Sequence, residues 1–280
     1  MEHQEGFING QKGLSIYWQA WLPSSEKVVA SVVIAHGLGE HGGRYRRVAE
    51  HLVEHGCATY AIDHRGHGKS EGPRALVDRF DNAVADLDQL IDQVRKARPN
   101  VPLFLLGHSM GGGLALDYAI AHQDKLDGLL LSGPAVVLDG APPAMLVISK
   151  ILSVLAPSLG VFSVDPSLVS RDPAEVAAYV SDPLNFHGKA PARTMGEIVR
   201  FVEGLPARLP QVTLPVLLMH GTEDKLAGAG GSELVYRSIR SQDKTIKLYD
   251  GFYHEIFNEF PADRARVFAE LSGWIEAHIS

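Results

Sequence analysis

Hydrophobic and polar positions follow two different periods along this chain. Short, mostly apolar runs predict buried strands at residues 28–35, 57–62, 103–106, 129–132 and 216–219. Residues 14–18 alternate between apolar and polar side chains, which is typical of a half-exposed strand, and residues 245–249 are a further strand candidate. Apolar side chains recur at helical spacing over residues 84–94 and 267–275. Strands that alternate with helices predict an α/β protein with a mostly parallel sheet, covered by helices on both faces.

The alternation of strands and helices is interrupted in the second half of the chain. This segment contains an apolar stretch at residues 144–155, several prolines, and a helix start at Asp172, where a capping residue precedes a proline. We predict a helical cap over residues 136–204, inserted into a core of residues 1–135 and 205–280. Helices this apolar should bury one side against the core or line a pocket, although an ordinary additional helical layer is the alternative.

Composition and charge limit the classes of protein to which the chain can belong. With 280 residues, 45% of them hydrophobic and 21% charged, it is long and apolar enough for a globular fold with a sizeable core. A net charge of −7 argues against nucleic acid as a partner. Cys57 is the only cysteine, so no intramolecular disulfide can form, which suits a reducing compartment.

The sequence shows neither a targeting segment nor a membrane span. Its first residues lack the basic and apolar regions of a signal peptide. The most apolar long stretch, residues 144–164, is interrupted by Lys150, Pro157 and Gly160. We therefore expect a cytoplasmic or peripherally membrane-associated protein, and these features leave its oligomeric state open.

Residues 107–111, Gly-His-Ser-Met-Gly, form the most informative motif of the chain. They follow the apolar run at residues 103–106, and a stretch rich in alanine, leucine and glycine comes after them. A serine between two glycines at a strand-to-helix junction is typical of a nucleophile elbow, in which a sharp turn raises one hydroxyl above the sheet. The glycines are needed because a Cβ would clash with the neighbouring backbone. Ser109 is therefore the candidate nucleophile.

A serine hydroxyl needs a base before it can act as a nucleophile, and the chain offers one. Asp224 follows the predicted strand at residues 216–219, and His254 follows the strand candidate at residues 245–249. Because the carboxyl ends of parallel strands meet at one edge of a sheet, Ser109, Asp224 and His254 should come together there. Their order along the chain is that of sheet-based hydrolases, with the serine first, then the acid, then the histidine.

Two other carboxylates compete for the role of the acid. Glu223 precedes Asp224 directly, so we expect its side chain to point elsewhere. Asp250 lies too close to His254 in sequence to be a comfortable partner from a separate loop. Asp224 is therefore the preferred candidate.

The loop at residues 36–45, His-Gly-Leu-Gly-Glu-His-Gly-Gly-Arg-Tyr, follows the strand predicted at residues 28–35. In sheet-based hydrolases an early loop and the residue after the nucleophile donate backbone N–H groups to the oxyanion. We predict that Leu38 and Met110 supply these donors. The loss of one such donor typically lowers the rate by about 10²- to 10³-fold, so the loop should matter nearly as much as the nucleophile and its partners.

The glycines and histidines of the early loops also permit other interpretations. Residues 37–42 match the dinucleotide-binding pattern G-x-G-x-x-G, with Asp63 at a suitable spacing, but no apolar helical turn follows the third glycine. A metal site would require the four histidines of these loops, which are His36, His41, His64 and His67. Known zinc sites use helical or paired-cysteine spacings, so a structural role for residues 63–68 is favoured. We predict neither a cofactor nor a metal.

Several segments together resemble the monoacylglycerol lipase family of α/β-hydrolases. The motif at residues 107–111 is shared by many esterases, whereas the loop at residues 36–45, joined to Asp-His-Arg-Gly-His-Gly at residues 63–68, is much more specific. Further matching segments lie at residues 181–184, 220–226 and 253–255. The resemblance therefore covers nearly the whole chain, including the predicted cap.

The resemblance implies an α/β-hydrolase fold with a helical cap, and hydrolysis of monoacylglycerols to glycerol and fatty acid without a cofactor. It implies a triad of Ser109, Asp224 and His254, with Leu38 and Met110 as oxyanion donors. It also implies that four residues surround the glycerol end of the substrate, namely Glu40, Arg44, His108 and Tyr179. The apolar face of the cap would hold the acyl chain, and we expect it to contact a lipid surface transiently.

Two alternatives and one departure from the family accompany this hypothesis. The same machinery would serve a broader carboxylesterase, a lysophospholipase or a thioesterase. A small-molecule receptor could keep the fold without turnover, although such a receptor usually loses one of the three residues. After Leu226 the chain reads Ala-Gly-Ala-Gly-Gly at residues 227–231, where relatives usually carry bulkier residues. We expect these glycines to loosen the loop behind Asp224.

Overall fold

The computed structural model describes residues 1–24, 28–138 and 143–279. The strands, in chain order, are β1 (Glu2–Asn9), β2 (Ser15–Leu22), β3 (Ala30–Ala35), β4 (Cys57–Ile62), β5 (Leu103–His108), β6 (Gly128–Ser132), β7 (Gly160–Phe162), β8 (Ala190–Pro191), β9 (Val216–Gly221) and β10 (Lys244–Tyr249). The α-helices are α1 (Arg46–Glu54), α2 (Phe80–Ala97), α3 (Met110–His122), α4 (Pro143–Leu155), α5 (Pro173–Ser181), α6 (Ala192–Arg208), α7 (Gly230–Ser238) and α8 (Pro261–Ala277).

An eight-stranded sheet in the order β1-β2-β4-β3-β5-β6-β9-β10 forms the centre of the structure. β2 is antiparallel to both β1 and β4. The other neighbours in this sheet, in the order β4-β3-β5-β6-β9-β10, pair in parallel. The register places Gly107 opposite Ala35 of β3 and Leu131 of β6. The parallel strands therefore end along one edge, and the loops that follow them carry the predicted site residues.

Apolar side chains form a hydrophobic layer on each face of the sheet. Neighbouring residues of β5 alternate between the two layers, with Leu105 in one and Phe104 in the other. Helices α2 and α3 pack on the first face, and α1 and α8 pack on the second. Helix α3 is buried from Met110 to Ile120, because it lies between the sheet and other helices. This explains why its sequence lacks a polar face.

The chain between β6 and β9 contains the helices α4, α5 and α6 and a small pair of strands, β7 and β8. Helices α4 and α6 pack closely, since a Cβ on Gly196 would lie 2.4 Å from the Cβ of Ser153. The outer side of α4 is apolar and exposed, and Val154 and Leu155 are 70% and 77% exposed. Among the described residues, no helix has both the length and the apolar character that crossing a bilayer requires. The proposed cap boundaries at residues 136 and 204 stay a prediction.

Most strands and helices lie where the hydrophobic pattern predicts them. β5 and β9 extend past their predicted ends to His108 and Gly221, and β3 begins at Ala30. The pattern does not predict β1, because its residues are mainly polar and exposed and pair only with β2 at the edge of the sheet. The prolines at the predicted start of the cap include Pro142, which lies outside the described residues.

Candidate active site

Ser109 occupies a sharp turn between β5 and α3. Its backbone angles, φ 53° and ψ −121°, fall in a region that residues with a Cβ rarely adopt. The Ser109 N–H donates to the Ser132 carbonyl at 3.1 Å, and the Ser109 carbonyl accepts from the N–H groups of Gly113 and Ala135 at 3.1 and 3.0 Å. Strain of this kind costs about 1–3 kcal/mol and clusters at functional sites. The turn therefore has the geometry that the motif predicts.

The two glycines of the motif are required by the closeness of the surrounding backbone. A Cβ on Gly107 would lie 2.5 Å from the carbonyl oxygen of Gly111. A Cβ on Gly111 would lie 2.2 Å from the carbonyl oxygen of Ala35. Both separations are far shorter than van der Waals contact, and backbone atoms cannot rotate away as a flexible side chain can. The clash expected from the sequence is thus found at both positions.

A Gly111→Ala substitution should strongly destabilise the protein. Since α3 would have to move away from β3, we expect the free energy of unfolding to fall by about 1–3 kcal/mol or more. Chemical denaturation measures this change. Gly273→Ala is the matched control, because a Cβ at this position of α8 meets no atom within 4 Å, and alanine there should stabilise the helix by about 0.5–1 kcal/mol. Equal effects at the two positions would contradict the steric account.

His254 and Asp224 form a short hydrogen bond. The Nδ1–H of His254 donates to Oδ2 of Asp224 at 2.6 Å, and both side chains are buried. The other oxygen, Oδ1, accepts from the N–H groups of Leu226 and Ala227 at 2.8 and 2.9 Å. Asp224 lies in the loop after β9, and His254 lies in the loop after β10. Because Nδ1 carries the proton shared with Asp224, Nε2 is the nitrogen that can accept a proton.

Burial and charge act in opposite directions on this pair. Burial disfavours the imidazolium, but the Asp224 carboxylate outweighs burial and raises the pKa of His254 above its ordinary value. Burial also disfavours the carboxylate, but the charge of His254 and hydrogen bonds from His220, His254 and the Ala227 N–H hold the pKa of Asp224 well below its usual range. The acid therefore stays ionised at neutral pH, and the histidine is a stronger base than a free imidazole.

The structure does not bring the two rival carboxylates to His254. The Glu223 side chain is exposed, while its backbone N–H donates to the Phe252 carbonyl at 2.9 Å. The Asp250 side chain is also exposed, and its Oδ1 accepts from the hydroxyl of Thr222 at 3.4 Å. Of the three candidate acids, Asp224 alone is hydrogen-bonded to His254 in the described structure.

A cavity of about 620 Å³ lies beside these residues, and Ser109, Asp224 and His254 line it. Most of its wall is apolar and comes both from the loops at the sheet edge and from the segment between β6 and β9. The apolar lining residues include Val137, Leu138, Leu146, Phe162, Val164, Val169, Met195, Ile198 and Val199. The cavity can therefore hold a long apolar group next to the nucleophile candidate.

The predicted oxyanion donors belong to the early loop and to the start of α3. Leu38 and Met110 both line the cavity, and Met110 is the first residue of α3, where backbone N–H groups are free of intrahelical partners. The early loop passes close to the nucleophile, since a Cβ on Gly37 would lie 3.1 Å from the Cβ of Ser109. The Gly37 N–H donates to Oε1 of Glu40 at 2.6 Å, which fixes the course of the loop. The donor role itself stays a prediction.

Comparisons with known proteins agree on one family. The family described as serine aminopeptidase, S33, matches residues 26–261. A monoacylglycerol lipase of Mycolicibacterium smegmatis is 38% identical, over 96% of this chain and 96% of its own length. The chain belongs to the monoacylglycerol lipase family of α/β-hydrolases. A monoglyceride lipase of Homo sapiens, at 35% identity over 94% of this chain and 87% of its own length, is a further relative.

Solved structures of monoacylglycerol lipases share the fold. The lipase of Paleococcus ferrophilus superposes with a TM-score of 0.83 at 30% identity, covering 99% of this chain and 100% of that one. A soluble variant of the Saccharomyces cerevisiae monoglyceride lipase, in complex with a substrate analog, superposes with a TM-score of 0.87 at 26% identity, covering 98% and 95%. The predicted α/β-hydrolase fold and the predicted family are confirmed.

Charged side chains form a buried network at one end of the cavity of this monoacylglycerol lipase relative. Arg44 donates to Oε2 of Glu40 at 2.7 Å and to both carboxylate oxygens of Glu255 at 2.6 and 2.8 Å. Its guanidinium also lies 4.8 Å from the centre of the Tyr179 ring. Glu40, Tyr179 and Glu255 line the cavity, whereas Arg44 stands behind them and holds the two carboxylates.

His108 completes the polar end. It lines the cavity, its ring centre lies 4.6 Å from that of His254, and its Nδ1 lies 3.0 Å from the Ser132 carbonyl oxygen. A carbonyl can only accept, so Nδ1 carries a proton and donates. Burial, and then the neighbouring His254, lower the pKa of His108 to about 4. His108 is therefore a neutral group that can hydrogen-bond a substrate, and it does not compete with His254 for a proton near neutral pH.

Sequence reasoning did not select Glu255, which lines the polar end and pairs with Arg44. Although burial disfavours its charge, the Arg44 guanidinium lowers the pKa of Glu255 to about 2. The available signal was its position, because it follows His254 directly in the loop after β10. A carboxylate next to the base histidine is an electrostatic neighbour of the site wherever its side chain points.

The early loops have the structural role that the sequence favours. Asp63 accepts from the N–H groups of Gly42 and Lys69 at 2.7 and 2.8 Å, and Nε2 of His36 accepts from the His64 N–H at 2.9 Å. A short 3₁₀ turn at Gly42–Tyr45 precedes helix α1, which begins only at Arg46, so the glycines of residues 37–42 do not open an α-helix directly as a dinucleotide motif does. Within the described residues, no group of three or more side chains is arranged to hold a metal ion.

Proposed function

We propose that this protein hydrolyses monoacylglycerols to glycerol and a fatty acid, with Ser109 as the nucleophile. The observation that carries the proposal is the hydrogen-bonded pair of His254 and Asp224 beside the strained Ser109, at the wall of a cavity that is apolar over most of its surface and charged at one end. The relatives named monoacylglycerol and monoglyceride lipase support it, since they match nearly the whole chain.

The proposed reaction proceeds through an acyl-enzyme. Nε2 of His254 takes the proton of the Ser109 hydroxyl as its oxygen attacks the ester carbonyl, and the Asp224 carboxylate stabilises the imidazolium. The backbone N–H groups of Leu38 and Met110 bind the oxyanion of the tetrahedral intermediate. Glycerol leaves with the proton from His254. Water, activated by the same histidine, then releases the fatty acid and restores Ser109.

The cavity supports a specific orientation of the substrate. The acyl chain would lie along the apolar wall between the sheet edge and α4 and α6. The glycerol hydroxyls would face Glu40, His108, Tyr179 and the newly found Glu255, with Arg44 fixing both carboxylates from behind. Ionised carboxylates accept hydrogen bonds and do not donate them, so this end suits a neutral polyol better than an anionic head group.

Hydrolysis of a substrate panel tests the proposed function. We expect fatty acid release from monoacylglycerols to exceed release from lysophospholipids and acyl thioesters of the same chain, measured as kcat/KM. An aminoacyl arylamide, included because of the aminopeptidase family description, should not be cleaved at a comparable rate. Preference for a thioester or lysophospholipid would replace the proposed substrate by one of the broader classes. Absence of turnover on all of them would favour a receptor.

The pH dependence of kcat/KM should report the protonation of His254. The base must be neutral to take the Ser109 proton, so activity is present above the pKa of His254 and is lost as the pH falls through it. Because the Asp224 carboxylate raises this pKa, the acidic limb should have its midpoint above about 6.5. A soluble ester assayed between about pH 4 and 9 measures the limb. A midpoint below that of a free imidazole would contradict the assignment.

The exposed apolar side of α4 supports transient contact with a lipid surface, which we propose as the route to a water-insoluble substrate. The double variant Val154→Ser/Leu155→Ser should bind monoacylglycerol-containing liposomes more weakly and hydrolyse them more slowly, with little change on a soluble short-chain ester. Phe7→Ser is the matched control, because Phe7 is 58% exposed but lies on β1 at the sheet edge. Unchanged liposome sedimentation of the double variant would contradict this contact.

A further inference from the structure

A second buried histidine contacts the proposed acid, and the proposed mechanism does not use it. His220 lies near the end of β9, and its side chain is completely buried. Its Nε2 lies 2.6 Å from the Ala227 carbonyl oxygen and 3.1 Å from Oδ2 of Asp224. Its Nδ1 lies 2.7 Å from the Ser232 hydroxyl oxygen. The ring thus connects β9, the loop after it and the first turn of α7.

The partners of His220 decide which ring nitrogen carries the proton. A carbonyl oxygen accepts and cannot donate, so the contact with Ala227 requires a hydrogen on Nε2. The same N–H also points to Oδ2 of Asp224, the oxygen that accepts from His254. A hydroxyl can donate, so Ser232 donates to Nδ1 and keeps the ring in this tautomer. Both ring nitrogens are therefore satisfied.

These contacts bracket the glycine-rich stretch at residues 227–231. Ala227 stands at its start and Ser232 directly follows it. The Ala227 N–H donates to Oδ1 of Asp224, so the same peptide segment that His220 holds also holds the acid. Position 231 leaves little room for a side chain, since a Cβ on Gly231 would lie 2.9 Å from Cγ2 of Val136. The His220 ring thus contacts the stretch at both ends, through the Ala227 carbonyl and the Ser232 hydroxyl.

We propose that His220 is a positioning residue, which holds Asp224 in register with His254 by fixing both the acid and the glycine-rich stretch behind it. The kinetic consequences of this inference rest on the proposed function, whereas the hydrogen bonds of His220 do not depend on it. His220 does not touch the substrate cavity, and it acts on the reaction through Asp224.

The loss of His220 should weaken catalysis and also change how His254 titrates. If the contribution of a hydrogen bond to the charged Asp224 is lost in the transition state, kcat should fall by about 10- to 100-fold. An Asp224 carboxylate that is no longer held in register stabilises the imidazolium of His254 less well, so the acidic limb of kcat/KM should move to lower pH. The other ionisable groups around His254 are Glu255, Glu40, His108 and, through the two glutamates, Arg44, and none of them contacts His220.

The experiment compares three variants with a matched control. His220→Leu removes both ring contacts, His220→Gln keeps a side-chain N–H toward Asp224 and Ala227, and Ser232→Ala removes only the hydroxyl that sets the tautomer. Ser272→Ala is the control, because Ser272 also pairs with a histidine, His51, at 3.0 Å but lies on α8 away from the acid. Each folded variant is assayed for kcat, KM and pH profile. Proton NMR follows the downfield Nδ1–H resonance of His254.

The proposal predicts a graded series. His220→Leu should lose about 10- to 100-fold in kcat, Ser232→Ala should lose about 2- to 10-fold, and His220→Gln should recover most of the loss. The downfield resonance should move in His220→Leu and stay in place in Ser272→Ala. A folded His220→Leu variant whose resonance and acidic limb stay in place would overturn the proposal, and so would a limb that moves to higher pH. If the parent hydrolyses no ester, the proposed function fails, whereas the resonance still tests the position of Asp224.

Discussion

Replacing Ser109 with alanine is expected to lower kcat for monoacylglycerol hydrolysis by about 10⁴- to 10⁶-fold, because the substitution removes the hydroxyl that forms the acyl-enzyme. The cavity, the backbone at Leu38 and Met110, and the polar end all remain in this variant. Substrate should therefore still bind with a similar affinity. Binding of a non-hydrolysable ether analogue, measured by calorimetry, separates this expected loss of chemistry from a loss of the site.

The control for this substitution is Ser31→Ala. Ser31 is a buried serine on β3, and among the described residues its hydroxyl has no hydrogen-bond partner, so its loss should leave kcat unchanged. A Ser109→Ala variant that retains activity would require another nucleophile.

Alanine at position 109 keeps the strained backbone angles of the turn, because the strain comes from the Cβ. Ser109→Gly would relieve this strain, so the glycine variant should unfold at a higher temperature than Ser109→Ala.

Replacing Asp224 with asparagine is expected to lower kcat by about 10⁴-fold. Asparagine can present an N–H to Nδ1 of His254, which turns the imidazole into the wrong tautomer and removes the negative charge that stabilises the imidazolium. It also loses the elevation of the His254 pKa, so the acidic limb of the pH profile should move to lower pH. Steady-state kinetics across pH give both effects in one series.

Glu223→Gln and Asp250→Asn are the matched controls for the acid. Both carboxylates lie within a few residues of the pair, but both side chains are exposed and neither contacts His254. Each substitution removes one negative charge, as Asp224→Asn does, so it corrects for the general loss of charge near the site. We expect less than about a 3-fold change in kcat, as for a screened surface charge. A large loss at Glu223 with little loss at Asp224 would move the role to Glu223.

The sequence was sufficient to predict most of the sheet, the sharp turn at Ser109 and the pairing of Asp224 with His254. Strands that are buried on both faces have continuous apolar runs, which can be recognised in the sequence. In a parallel sheet, the residues that follow these runs lie together at one edge. Ser109, Asp224 and His254 could therefore be related although they are far apart in the chain. β1 escaped prediction because an edge strand with exposed faces leaves no apolar pattern.

Contacts between distant side chains could not be predicted in the same way. The hydrophobic periodicity does not indicate that Arg44 pairs with Glu40 and Glu255 behind the cavity wall, because ion pairs depend on the direction of the side chains. The loop after Asp224 is a further example. The glycines expected to loosen it begin after Ala227, the last residue whose N–H holds Oδ1 of the acid, and the His220 ring contacts the stretch from inside.

The most direct test of the account is the mass of the protein after reaction with a fluorophosphonate ester. The proposed mechanism predicts a single adduct per chain, assigned to Ser109 by peptide mapping. Formation of the adduct should be slowed by a monoacylglycerol that competes for the cavity, and it should be slowed strongly in Asp224→Asn. An adduct on a residue other than Ser109, or labelling of Ser109→Ala at the rate of the parent, would contradict the account.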